Sequence, residues 1–318
     1  MKKYVLLVFV AIIAITGYFL LVKGQQQIES KASRTVVDST GKEVRVPAKV
    51  ERIVFLNASS LEIFTSIGGK AAGRPTSNSY PEDIKPLIKD LPEIGNIHAP
   101  NLEKIMGLKP DLVVGINVPF HVLVRKPLEM AGIPTYLNTI ASYEDVLKTI
   151  DEFGRFAGRE KEAAAKRAEI ERDYAELVKD VKPGTGPRTL VIFGTPESFS
   201  MATRKSFTGD LVERLGGVNI ATEADSTKDS SYIPLSMEYV AKQDPEIVML
   251  ITMGGSKKIL EKMRASMREN VIWHDVSAVK HNRVYQLPPS LFTVNPGTHT
   301  IEAMRIIKKY LNGEGNGQ

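Results

Sequence analysis

Strand-length apolar runs alternate with amphipathic stretches through most of this chain. Residues 52–56, 112–116, 135–137, 189–193 and 247–252 are short, largely apolar or β-branched runs of the kind that form strands buried on both faces. Between them, residues 61–67, 123–131 and 211–215 place apolar side chains at helical spacing. This alternation predicts an α/β architecture with parallel sheets. Ahead of it, residues 36–47 hold two β-branched runs around Asp38 and Gly41, the pattern of a hairpin.

The rhythm breaks at Ser142. Ser142-Tyr143-Glu144-Asp145 opens a helix with a capping-box pattern, and helical sequence continues to about Val181 with one break near Gly158. Residues 160–179 are rich in Ala, Glu, Lys and Arg, strong helix formers of mixed charge. Pro183-Gly184-Thr185-Gly186-Pro187 then ends the stretch. A charged helix between two α/β regions reads as a rigid connector; the plainer alternative is a surface helix within one larger domain.

An internal repeat supports two halves. Asn101-Leu102-Glu103-Lys104-Ile105 followed by Lys109-Pro110-Asp111 and an apolar strand matches Ser236-Met237-Glu238-Tyr239-Val240 followed by Asp244-Pro245-Glu246 and a second strand, with a constant offset of 135 residues. Each copy supplies an N-cap residue, a short helix, a Pro-acidic stop and a buried strand. Two similar lobes place a ligand cleft between them, where strand C-termini and loops converge. Glu103 and Glu238 sit in the first turns of the repeated helices. The helix dipole alone accounts for an acidic residue there, but matched carboxylates on both lobes also make one bipartite docking surface.

The N-terminus changes the picture of where the chain works. Lys2 and Lys3 precede an uncharged stretch from Tyr4 to Val22, closed by Lys23. That length just suffices to cross a bilayer, and the flanking lysines keep the N-terminus inside. An uncleaved signal anchor is therefore favoured over a cleaved signal peptide, and either exports the body. The expected organisation is an anchor at 1–24, a tether at 25–34, an N-terminal lobe at 35–140, a connecting helix at 141–182 and a C-terminal lobe at 183–318. Net charge over the 318 residues is +5, and three of those charges flank the anchor, leaving about +2 on the body. Such a balance gives no reason to expect nucleic acid. There is no cysteine, which excludes disulfides, thiolate metal sites and a lipidated Cys.

Five motifs carry a family resemblance: the Asp38-x-x-Gly41…Pro47 hairpin, the Asn101-Leu102-Glu103…Lys109-Pro110-Asp111 segment, the connecting helix, the Gly216-Gly217-Val218-Asn219-Ile220 turn and the stretch from Ala278 to Tyr285. In this order, spanning 36–311, they resemble the periplasmic-binding-protein family for iron siderophores, haem and cobalamin. The resemblance implies two Rossmann-like lobes joined by a single long helix, a shallow cleft with limited hinge motion, and delivery to an ABC permease and its ATPase. It also implies that one Glu per lobe, Glu103 and Glu238, docks on Arg pockets of the permease, with Glu62 a weaker candidate for the same role. The expected ligand is a ferric siderophore or haem, with no cofactor of the chain's own and the chain acting as a monomer. Cobalamin is the alternative in the same class, but the tryptophans that line the cleft in that branch are Ile97 and Ile116 here.

Loops at the strand ends supply the candidate ligand-binding residues: Asn57, Ser59, Arg74, His98, Asn117, His121, Thr195, Phe199, Arg204, Tyr232 and Met253. Imidazole and phenolate ligate iron, which makes His98 and Tyr232 candidate metal ligands. Arg74 and Arg204 are candidates for holding an anionic chelate. His274 and His281 read as structural. The rival classes are an extracellular sensor and a metal-dependent enzyme on the same scaffold. No G-x-S-x-G, P-loop, H-E-x-x-H or G-x-G-x-x-G is present, so no enzymatic activity is expected.

Overall fold

The computed structural model describes residues 33–78, 80–224 and 229–315. The anchor and nearly all of the tether lie outside these residues, apart from Ser33 and Arg34, which begin the first strand. No helix among the described residues is long and apolar enough to cross a membrane.

Strands β1 (Ser33–Val37) and β2 (Glu43–Pro47) form the expected antiparallel hairpin, with Val36 opposite Val44. Asp38 in its turn is buried and accepts from Thr40 N and Lys42 N within the hairpin, and from Leu137 N and the Arg125 guanidinium beyond it. A buried carboxylate is tolerable only when paired and hydrogen-bonded in this way. The pairing fastens the hairpin to the N-terminal lobe.

That lobe is built on a sheet of β3 (Ile53–Phe55), β4 (Ala71–Thr76), β5 (Glu93–Asn96), β6 (Ala99–Pro100), β7 (Leu112–Ile116) and β8 (Thr135–Asn138), in the order β6-β5-β4-β3-β7-β8. Its neighbours pair in parallel except for the β5–β6 hairpin. The C-terminal sheet contains β9 (Arg188–Gly194), β10 (Phe199–Ala202), β11 (Val218–Asn219), β12 (Tyr232–Pro234), β13 (Ile247–Thr252) and β14 (Val284–Gln286). Its order is β12-β10-β9-β13-β14, with β11 alongside β9. Every residue of β3 and β13 is buried, in keeping with their apolar and β-branched sequence.

Helices of six residues or more are α1 (Ala58–Ser66), α2 (Leu102–Gly107), α3 (Pro119–Met130), α4 (Tyr143–Ala157), α5 (Glu160–Val178), α6 (Phe207–Arg214), α7 (Met237–Gln243), α8 (Lys257–Glu269) and α9 (Thr300–Leu311). The sequence repeat is a structural one. Asn101 caps α2 by accepting from Lys104 N, and Ser236 caps α7 by accepting from Tyr239 N. Lys109 (φ 47°) and Asp244 (φ 43°) both turn left-handed at the matching position before proline. Arg52 donates to the carbonyl of Leu108 and Arg188 to those of Gln243 and Asp244, so a guanidinium satisfies the orphan carbonyls at the end of each repeated helix.

The helical stretch between the lobes is two helices that pack on each other, broken at Gly158 with φ 62°. Ser142 accepts from Asp145 N while the Asp145 carboxylate accepts from Ala141 N, a reciprocal cap. α4 belongs to the N-terminal core. Its Phe153 ring lies 5.7 Å from that of Phe55, which is 4.9 Å from Phe64. α5 folds back over α4 at Gly154, where a Cβ would come within 2.5 Å of the Ala163 Cβ. α5 then reaches the C-terminal lobe, where Lys308 Nζ donates to Leu177 O over 2.7 Å.

The chain crosses between lobes a second time. After β14 it returns through residues 293–299 to lie against α1, and Asn295 donates to Ser59 Oγ over 3.3 Å. One apolar cluster runs without a break from Val44 and Phe55 to Met304 and Ile307. Two crossings and a shared core leave little freedom for wide hinge opening.

Candidate ligand-binding cleft

A cavity of about 510 Å³ opens between the lobes at the strand C-termini. That size lies within the usual range for small-molecule sites. The N-terminal lobe contributes Thr76 at the end of β4 with Ser77 and Asn78 after it, Asn96 at the end of β5 with Ile97 and His98 after it, Ile116 at the end of β7 and Ala58 at the start of α1. The C-terminal lobe contributes Phe193 near the end of β9, Met253 and Gly254 after β13, and Thr293 and Val294 from the returning segment.

The N-terminal wall is shaped by two hydrogen-bonded residues. Asn96 Oδ1 accepts from His98 N and Ala99 N, both at 3.0 Å, which turns the loop so that His98 faces the cavity. The His98 ring meets Phe120 edge-on at 4.8 Å. His121 is fully buried behind this wall; its Nδ1 accepts from Ile116 N at 3.1 Å and its Nε2 donates to Ile97 O at 3.0 Å. Burial pushes the imidazole down to about 4, so the ring is neutral and its tautomer is set by those two bonds. His121 braces the wall from behind and does not line the cavity.

Of the residues expected at the cleft, His98 and Met253 line the cavity. Tyr232 is 46% exposed, with its ring 5.2 Å from Phe193, at the edge of the wall. The others are held elsewhere by stronger demands. Asn57 is buried and donates to Ser59 Oγ, beneath the cavity floor. Arg74 is 2.8 Å from Glu93 and only 17% exposed, because the strand directs it against Tyr80. Asn117 reaches 3.4 Å to Ser39 O on the hairpin. Thr195 closes its own turn with Ser198 O, and Phe199 packs into the C-terminal core beneath Lys262. Arg204 pairs with Glu213 at 3.5 Å and borders a separate hollow of about 620 Å³ with Ser142, Asp145 and Asp210. Neither arginine lines the interlobe cavity.

Among the described residues no group of three or more His, Cys, Asp or Glu side chains is placed to hold a metal ion. His98 lines the cavity, whereas Tyr232 is outside its lining. His274 and His281 bond to the carbonyls of Arg268 and Ser277, the structural roles expected of them.

Glu62 departs most from expectation. Instead of an exposed docking group it is a buried carboxylate, 2% exposed, at the contact between α1 and the turn Gly297–His299. It accepts from Thr298 N at 2.9 Å and from the Thr298 hydroxyl, and His299 Nε2 lies 3.8 Å away. Burial raises its pKa to about 7, against the opposing pull of the Thr298 bonds and His299. Gly297 (φ +57°) is required there, since a Cβ would lie 1.7 Å from Glu62 Oε2. By contrast Glu103 and Glu238 are exposed in the first turns of α2 and α7.

Residues 53–291 match the family model described as periplasmic binding protein, three quarters of the chain. The chain belongs to the periplasmic binding protein family. Over 239 residues it is 29% identical to the high-affinity heme uptake system protein IsdE of Staphylococcus aureus, covering 73% of this chain and 77% of that protein. An ABC transporter substrate-binding protein from Listeria monocytogenes superposes with a TM-score of 0.73 at 25% identity, over 83% of this chain and 100% of that one. S. aureus IsdE complexed with heme gives 0.72 at 25% identity, over 82% and 98%. S. aureus SirA complexed with staphyloferrin B gives 0.71 at 22% identity, over 88% and 98%, a likeness of fold.

Proposed function

We propose that this chain is the extracytoplasmic substrate-binding protein of an ABC importer, held at the membrane by its N-terminal segment, and that it captures an iron complex, haem before others. The observation that carries this reading is the interlobe cavity, whose mostly apolar walls present His98 from one lobe and Met253 from the other. Imidazole and thioether are the two side chains that together hold haem iron axially in cytochromes c, while apolar walls cover the macrocycle. The likeness in sequence to a heme uptake protein supports the same choice.

The role is carriage without chemistry. Support for carriage comes from the family match, a periplasmic binding protein, and from the likeness to an ABC transporter substrate-binding protein. Exposed at equivalent helix starts on the two lobes, Glu103 and Glu238 support delivery by docking on a permease. The test is growth on haem as sole iron source in a strain lacking the native gene. Wild-type chain restores growth, and the Glu103→Arg/Glu238→Arg double variant binds haem normally but does not. Full uptake by the double variant removes the docking assignment; no rescue by the wild type removes the haem reading.

A further inference from the structure

We infer that the cleft admits iron complexes that present an uncharged surface to its walls and refuses multiply anionic chelates. This rests on the iron-complex reading above and narrows it to a ligand charge class. Apart from the His98 imidazole, the polar groups on the wall, Thr76, Ser77, Asn78, Asn96 and Thr293, are neutral hydroxyls and amides. Among the described residues no Lys or Arg lines the cavity. Arg74, two residues before Thr76, is the cation nearest in sequence to the β4 rim, and it is committed to Glu93 at 2.8 Å. Arg204 faces the separate hollow and is committed to Glu213.

Charge in such a cleft is costly. A carboxylate or catecholate oxygen stripped of water loses several kcal/mol unless a cation or several donors replace the solvent. A ferric tris-catecholate carries three negative charges over its whole surface, so no orientation hides them. A neutral ferric trihydroxamate has no such requirement, and haem avoids it by leaving both propionates at the cleft mouth in water. The side-chain amides of Asn78 and Asn96 then serve the neutral carbonyl and N–O edges of a hydroxamate, or flank a porphyrin edge.

The test is calorimetric titration of the full chain in detergent with haem, a neutral ferric trihydroxamate, a ferric tris-catecholate and a ferric polycarboxylate, at low and high salt. Haem or the trihydroxamate is expected to bind at least about a hundredfold more tightly than either polyanion, with little salt dependence. Thr76→Arg and Asn78→Arg should each improve binding of the tris-catecholate by tenfold or more, with strong salt dependence. A wild-type protein that prefers a polyanionic chelate overturns the charge inference while leaving iron capture intact. Failure of every chelate, neutral or anionic, overturns the inference together with the function on which it rests.

Discussion

Replacing Glu62 by Gln isolates the energetics of the contact that closes the lobes on each other. The wild-type carboxyl is buried at the junction of α1 and the turn Gly297–His299, and burial lifts its pKa from 4.5 to about 7. At about 1.36 kcal/mol per pH unit, that displacement corresponds to roughly 3 kcal/mol. The sign follows from proton counting. Between the two pKa values the folded protein holds a proton that the unfolded chain has released, so stability is present in full below pH 4.5 and is lost as pH rises through about 7. About 2 kcal/mol of this loss falls between pH 5.5 and 8. Glutamine mimics the protonated acid: its carbonyl accepts from Thr298 N and its amide donates to the Thr298 hydroxyl. Charged neighbours on the facing elements are His299, Asp83 and Glu302, and all three remain in the variant. Guanidinium unfolding of both proteins at pH 5.5 and pH 8 gives the comparison. The wild type should lose about 2 kcal/mol more than Glu62→Gln across that range. Equal pH slopes for the two proteins would refute the assignment of a buried, proton-holding carboxyl at the lobe junction.

Three other perturbations probe the scaffold. Asp38→Ala strands the Arg125 guanidinium in the core and should cost about 3–5 kcal/mol in urea unfolding; a loss under about 1 kcal/mol would mean that the hairpin is not fastened as described. His121→Ala leaves the Ile97 carbonyl and Ile116 N–H without their partner, so a loss of about 2 kcal/mol or more and weaker haem binding are expected, and unchanged affinity would detach His121 from the cleft wall. Its own pH signature is opposite to that of Glu62: the folded pKa of about 4 lies below the ordinary 6.5, so its contribution is present above pH 6.5 and is lost as pH falls towards 4. Gly297→Ala forces a Cβ onto Glu62 at a left-handed backbone position; thermal melting should drop by several degrees, and an unchanged melting point would show that the turn can move away.

The scaffold was readable because its signals are local. Buried parallel strands such as 247–252 are continuous apolar runs, and the repeat copied N-caps, Pro-acidic stops and strands at a fixed offset. Its copies proved equivalent down to Lys109 and Asp244, which share a left-handed turn, and to Arg52 and Arg188, which share a capping task. The cleft was less readable, since a strand end says which residues are near the opening but not which way their side chains turn. Arg74 lies at such an end, yet strand alternation and the Glu93 carboxylate take it out of the cavity. His121 was a candidate because it follows a strand end, and only its two backbone bonds reveal a brace. Ser77 and Asn78 escaped notice because Pro75 and Gly73 disguise β4 as a loop. Phe193 was read only as the last residue of a buried strand, and it lies one residue before the end of β9. Thr293 and Val294 reach the cleft only because the chain crosses back to α1, a long-range event with no local signature. Glu62 is the same kind of case: its burial depends on Thr298, 236 residues away.

The central claim, that an iron complex sits between His98 and Met253 in the interlobe cleft, is tested most directly by titrating haem into the full chain and following the visible spectrum. The account predicts saturation at one haem per chain, a spectrum altered by His98→Ala and by Met253→Ala, and loss of binding when Ile116→Trp fills the cavity. Undiminished binding by Ile116→Trp, or a spectrum indifferent to both ligand substitutions, would contradict it.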